Sequence, residues 1–306
     1  MTTPRPTVVL ATPRKLPKPN SLKGRVAVLD IAFAATGTGT SFEKVTGSFL
    51  QALGPRLAVW IDHHDHEKHA DFAKDPRFVL RKKREHGACP EMVTPDRVEQ
   101  AGPVDTIVCH DDLDGLYAAA KFIRGGEEPY AGADSDARAV DTRIGTPSPL
   151  GHSIDFALRA RPRDDTLRER IVWFLVEGAS NKIIREEIET TAKEFAEHER
   201  NAKKLAEGYQ VQGRLAVVDA TGFASRVGPY DKTLALLLGQ ERAAIAMVYD
   251  DQTITVAAGF DSGIDLLKLL GVSGGMPTRV SIPRGRLNEA IEALEKDPHP
   301  PAPERP

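Results

Sequence analysis

Three apolar runs, RVAVLD (25–30), RLAVWID (56–62) and VDTIVCH (104–110), each end on an acidic residue or a histidine. Short aliphatic and β-branched runs without polar alternation are the pattern of strands buried on both faces. Between them, SFEKVTGSFLQAL (41–53) and GLYAAAKFIRGG (115–126) carry helical spacing, with Ser41 or Thr40 placed to cap the first and a glycine pair closing the second. Strands separated by helices predict an α/β fold with a mainly parallel sheet covered on both faces. In such a sheet the C-terminal strand ends share one edge, and ligands bind outside that edge. If the three strands are neighbours, Asp30, Asp62, His63, His64, His110, Asp112 and Asp114 all meet there.

At 306 residues the chain suits two domains better than one core. Residues 1–23, proline-rich and with little apolar periodicity, read as a flexible arm, and 24–153 as the metal-binding catalytic domain. From 154 to 209 the pattern is helical and ends in the charged segment NKIIREEIETTAKEFAEHERNAKKLAEGY, a helical connector. Strand signals return in GRLAVVDA, AAIAMVYDD and TITVAAGF; with the helical IDLLKLLG and RLNEAIEALEK they make 210–296 a second, smaller α/β domain. The proline-rich tail 297–306 cannot continue a helix.

The net charge of −3 argues against a long duplex nucleic acid as partner, because such binding rests on a basic stripe that neutralises phosphates. The one dense basic run, Arg81-Lys82-Lys83-Arg84, reads as a solvated face. Small anionic substrates remain compatible, since bound metal ions supply positive charge locally. No apolar stretch approaches the roughly 20 residues that span a bilayer, and the N-terminus lacks the apolar core of a secretory signal. Cys89 and Cys109 are too few for a disulfide framework, so the expected setting is cytoplasmic, with no membrane contact.

Carboxylates mixed with imidazoles suit Mn²⁺, and also Fe²⁺ or Zn²⁺, better than Ca²⁺. A carboxylate bridging two ions roughly 3.5–4 Å apart would create a hydroxide nucleophile and a clamp for a phosphoryl group. Taken singly, Asp30 is an ordinary strand-end acid, His63-His64 an incidental pair and HDDLDG an acidic turn; three such clusters in one chain favour a metal site. Arg138 and Arg143 would contact phosphate or else make structural salt bridges. TGTGT (36–40) reads as a simple βα turn in preference to a phosphate cradle, because it lacks the P-loop lysine. His66 and His69 are expected exposed on the turn after His64, and Cys109 in the core.

IDHH (61–64) and HDDLDG (110–115) resemble the signature elements of the DHH phosphoesterase superfamily. That superfamily includes RecJ-type exonucleases, oligoribonucleases, cyclic-dinucleotide phosphodiesterases and family II inorganic pyrophosphatases. SGGMPTRVSIPR (273–284) is similar to the glycine-rich loop of its substrate-binding domain, DHHA1, so the resemblance spans most of 25–295. It implies two divalent ions, with His110 and Asp112 on one, Asp114 and His63 on the other, and Asp30 bridging. It implies that His64 faces the substrate phosphate or leaving group and that Asp62 orients the histidines. A further aspartate of the second ion lies after a helix; Asp134 or Asp136 of AGADSDAR fits, with Asp134 preferred. Gly274 and Gly275 would let backbone N–H groups approach a phosphate or base, and Arg279 would pair with a terminal phosphate.

Two departures accompany the resemblance. The DHH element here precedes HDDLDG, the reverse of the usual order, and Met276-Pro277-Thr278-Arg279 follows the glycine pair where the family shows a third Gly or a His. The expected function is a Mn²⁺-dependent phosphoesterase acting on small nucleotides or short oligonucleotides, with a homodimer left open. The rival readings are a non-catalytic nucleotide-binding protein on the same scaffold and an exonuclease on longer single strands.

Overall fold

The computed structural model describes residues 5–35 and 40–295. The tail 297–306 and most of the TGTGT turn lie outside the described residues. Among the described residues, one compact unit takes those up to Ala34 and Thr40–Lys193, and the other takes Ala35 and the residues from Glu194 onward.

The first unit is built on strands β1 (Thr7–Ala11), β2 (Val26–Leu29), β3 (Leu57–Asp62), β4 (Phe78–Leu80) and β5 (Thr106–His110). They form one parallel sheet in the order β1-β5-β2-β3-β4. Helices α1 (Ser48–Leu53), α2 (His69–Phe72), α3 (Pro95–Ala101), α4 (Leu113–Ile123), α5 (Ala133–Thr142), α6 (Pro149–Ala160) and α7 (Asp165–Val176) follow in chain order. β2 is buried at every residue, as a continuous apolar strand in a covered parallel sheet should be. One core gathers Leu29, Ile61, Ile107, Leu116 and Phe174; a second, on residues of opposite pleat, gathers Val28, Trp60, Val108, Phe33 and Phe49.

Apolar residues continue past Asp30 to Phe33 in the sequence, but β2 stops at Leu29. Asp30 takes φ 57°, a left-handed conformation that turns the chain out of the ladder. Ile31 to Ala35 continue buried, and the Ile31 carbonyl accepts from the Trp60 indole at 3.0 Å.

Two expectations change here. The described part of 1–23 does not form a flexible arm: Thr7–Ala11 pair in parallel register with Thr106–His110, and Val8, Leu10 and Ala11 pack into the cores. The short TVVLA run was outweighed in the sequence by its proline-rich flanks. The 149–176 helices, read partly as connector, belong to the first unit, where Ile154, Leu158, Ile171 and Leu175 are core residues.

The long helix α8 (Lys182–Ala206) contains the division between the units. In the second unit, β6 (Gln210–Gln212), β7 (Leu215–Asp219), α9 (Phe223–Arg226), α10 (Lys232–Gln240), β8 (Ile245–Tyr249), β9 (Thr253–Ala258), α11 (Leu266–Leu269), β10 (Arg279–Pro283) and α12 (Leu287–Glu295) follow in order. The sheet is mixed, β10-β9-β8-β7-β6, with β7 and β8 parallel and its other pairs antiparallel. Among the described residues no helix is long and apolar enough to cross a membrane.

The edge strand gives a test of the corrected N-terminus. Deleting residues 1–11 removes β1 and uncovers the flank of β5. The expected cost is at least about 2 kcal/mol, the value of one buried aliphatic side chain, or a melting temperature lower by about 4–8 °C. An unchanged thermal transition would restore the flexible-arm reading.

Candidate metal centre

The strand order decides the site. β2 lies between β3 and β5, with Leu29 level with Ile61 on one side and Cys109 on the other. Asp30 therefore emerges between Asp62-His63-His64 and His110-Asp111-Asp112. Three groups of donor atoms, each within 4.8 Å of one another, form at this edge: Asp30/His63/His64, Asp30/His110/Asp112 and His63/Asp114/Asp141. Asp30 belongs to two of them.

Local structure fixes the aim of each side chain. Asp112 is the N-cap of α4, its carboxylate accepting from Gly115 N at 3.1 Å. Gly115 is required there, because a Cβ would stand 2.4 Å from the His110 carbonyl oxygen. Asp114, one residue into the helix, accepts from Cys89 N at 3.1 Å through either oxygen. Buried Arg168 of α7 donates to the Asp111 carbonyl at 2.6 Å and so pins the loop from outside the sheet. Sequence reading gave Arg168 no role; it is one more arginine in a helical run.

His63 is fully buried. Its Nδ1 faces the His86 carbonyl at 2.9 Å, and a carbonyl only accepts, so Nδ1 carries hydrogen. The other nitrogen, Nε2, points into the cluster, 3.2 Å from Asp30 Oδ1, 3.1 Å from Asp114 Oδ2 and 3.8 Å from Asp141 Oδ2. Fixing one ring nitrogen on a carbonyl while the other faces the donors is the usual arrangement of a metal-binding histidine. His64 is held the same way by Asp62, with 2.8 Å between Nδ1 and Oδ1, and its side chain keeps 18% exposure. On the other flank His110 Nδ1 lies 2.8 Å from Asp112 Oδ2 and 3.8 Å from Asp30 Oδ2.

The titration behaviour follows from packing charges into a buried edge. Burial, and then the Asp114 charge, raise Asp30 to about 6. Burial and Lys83 push His63 down, but its contacts with Asp114 and Asp30 outweigh them and bring it to about 10. Burial opposes the charge on His110 too, yet the Asp112 carboxylate raises it to about 10. Burial works against the Asp112 and Asp62 carboxylates, but His110 and His64 respectively hold them below the ordinary range.

Lys83 was read as part of a solvated basic face, and that reading is corrected. Arg81, Lys82 and Arg84 are exposed, but Lys83 is buried and turned inward. Its Nζ lies 3.1 Å from His63 Nε2 and in direct contact with Asp141 Oδ2. His66 and His69 are also not exposed as expected; both are half-buried with their rings against Phe33, and burial lowers His69 to about 4. Cys109 is a core residue, with burial raising its thiol well above the ordinary range.

Asp134 is a second correction. Its carboxylate is held at 2.5 Å by Lys121 and joins none of the three groups. Asp136 accepts from Tyr130, Ser148 N and Ser148 Oγ, which ties α5 to the start of α6. The aspartate of α5 that reaches the edge is Asp141. Seven residues are almost two helical turns, so Asp134 and Asp141 share a face of α5 about 10 Å apart along the axis. Arg138 donates to Glu91 at 2.7 Å, and Arg143 stands 3.7 Å from Asp155. In the second unit, Gly274 and Gly275 have φ 70° and 113°, and Arg279, on β10, donates to Thr233 Oγ1 at 3.1 Å.

The donor set fits a divalent ion best at Asp30, His110 and Asp112. There Asp30 Oδ2 and Asp112 Oδ2 converge on the single imidazole of His110, at 3.8 and 2.8 Å, a concentration of carboxylate that a cation would balance. The His63, Asp114 and Asp141 group has suitable donors, but the Lys83 ammonium group stands among them.

No protein-family profile matches the chain, and no curated protein does. Among solved structures, a match to "pGpG-specific phosphodiesterase - PggH" from Vibrio cholerae covers 89% of this chain and 98% of that one, at 11% sequence identity and a TM-score of 0.39.

The two aspartates of α5 can be separated by metal titration. Asp141→Asn, which removes the carboxylate that meets Lys83 beside His63, should change the affinity for Mn²⁺ or the number of ions bound, whereas Asp134→Asn should leave both unchanged. Calorimetric titration below both melting transitions measures this. Equal losses would return Asp134 to the site.

Proposed function

We propose that the chain is a divalent-metal-dependent phosphoesterase acting on phosphodiester or phosphomonoester bonds of small nucleotides or short oligonucleotides, with Mn²⁺ as the ion. The observation that carries this reading is the convergence of three strand-end clusters on Asp30, a buried carboxylate shared by two donor groups. Asp30, His110 and Asp112 would hold the ion. Two carboxylates and an imidazole suit Mn²⁺ better than Ca²⁺. Bound there, a divalent ion supplies Lewis-acid stabilisation of charge on a phosphoryl group and lowers the pKa of water.

The chain's own groups supply the rest. Asp62 accepts from His64 Nδ1, which orients the ring. The ring stays partly open to solvent, so Nε2 can hold a proton for the oxygen that leaves phosphorus. Cys89 N and the Asp111–Arg168 contact keep Asp114 and the HDDLDG loop fixed, so little reorganisation accompanies the reaction. A short substrate agrees with the surface: the densest basic stretch of the chain sends Lys83 inward, leaving less positive surface for a long phosphate backbone.

The test is hydrolysis of bis-p-nitrophenyl phosphate and a dinucleotide panel, with Mn²⁺ and then with EDTA. Turnover that requires Mn²⁺ and disappears on chelation is expected. Asp112→Ala should abolish it while circular dichroism stays native-like. Wild-type rates in that variant would sink the assignment, and no turnover by the metal-loaded protein on any substrate would favour a nucleotide-binding protein.

A further inference from the structure

The turn that follows β4 addresses both nitrogens of His63. Its His86 carbonyl takes the Nδ1 hydrogen at 2.9 Å, and its Lys83 Nζ lies 3.1 Å from Nε2. The turn is anchored for this purpose. Lys83 N donates to Asp65 at 3.2 Å, Lys82 N to Glu85 at 2.9 Å, and Glu85 N to the Lys82 carbonyl at 2.8 Å. Lys83 is the one buried member of an otherwise exposed basic run, and its amino group also meets Asp141.

An ion ligated by His63 and Asp141 would sit about 2.0–2.2 Å from each donor atom. That is the space the Lys83 nitrogen fills, in contact with Asp141 and 3.1 Å from His63 Nε2. We propose that Lys83 takes the place of the second metal ion, so that the chain works with a single divalent ion at Asp30, His110 and Asp112. The inference rests on the metal-dependent reading above and deepens it. A lysine cannot supply a Lewis acid, but it can place positive charge beside Asp141 and His63, where an ion would otherwise sit. Nζ and Nε2 face each other, so only one of them can donate along that line; a proton on either keeps a positive charge among the carboxylates.

Metal counting tests this directly. Wild-type protein equilibrated with Mn²⁺ and passed through a desalting column should carry one ion per chain by elemental analysis. Its electron paramagnetic resonance should show the six-line spectrum of isolated Mn²⁺. Lys83→Met, which keeps the apolar stem and removes the terminal amino group, should carry two, with the spectrum broadened by coupling between neighbouring ions. Two coupled ions in the wild type, or a single ion in both proteins, would overturn the role of Lys83 and leave the phosphoesterase reading standing. No ion in either would overturn both. A coupled two-ion spectrum in the wild type overturns the proposal even if the variant folds poorly.

Discussion

Everything at this edge depends on keeping one carboxylate, that of Asp30, out of water. Moving an isolated carboxylate into a low-dielectric interior costs far more than a protein's net stability, so such a group must be neutralised, paired or bound to a cation. Asp30 is 1% exposed and sits in a left-handed backbone conformation that costs a non-glycine residue on the order of 1–2 kcal/mol. Both burdens are tolerated because the surroundings over-determine its position: its N–H is held by the Ile61 carbonyl at 2.8 Å, and the imidazoles of His63 and His110 flank its two oxygens. Strain and burial concentrated on one side chain, with compensating cations on both sides, are what a functional centre exacts from a fold.

The order of the clusters along the chain is settled in space by the same sheet. A parallel sheet fixes adjacency by strand pairing and is indifferent to which strand came first in the chain. β5 is the last of its sheet in sequence, yet it enters between β1 and β2. HDDLDG thereby lands beside Asp30 on the flank opposite the DHH element, although it follows that element in sequence. Chain order is a weak guide to a strand-tip site; tip position is the stronger one.

That distinction explains what could be read in advance. Buried strands announce themselves by apolar runs, and their last residues are named by the sequence, so Asp30, His63, His110 and Asp112 needed no knowledge of packing. Asp141 lies on a helix, and helical periodicity gives a face without saying which turn approaches the site. Asp134 and Asp141 share that face; the capture of Asp134 by Lys121 and of Asp136 by Ser148 decides between the turns, and both contacts are tertiary. β1 was hidden because five residues are too short a run to stand against proline-rich flanks, and only pairing with β5 makes it a strand. Lys83 was hidden for the opposite reason: its neighbours Arg81, Lys82 and Arg84 are the exposed residues that a basic run leads one to expect.

A tethered ammonium group and a dissociable ion are different solutions to the same electrostatic demand. The ion brings two positive charges and a Lewis acid, and its occupancy varies with concentration; the lysine brings at most one charge, tethered and positioned by the turn that carries it. With Lys83 on the His63 side, the unbalanced part of the edge is the His110 side, where Asp30 and Asp112 face one imidazole across 3.8 and 2.8 Å. On the proposed reading, a cation arriving from solution would be drawn to Asp30, His110 and Asp112. The asymmetry of the centre follows from which loop carries the lysine.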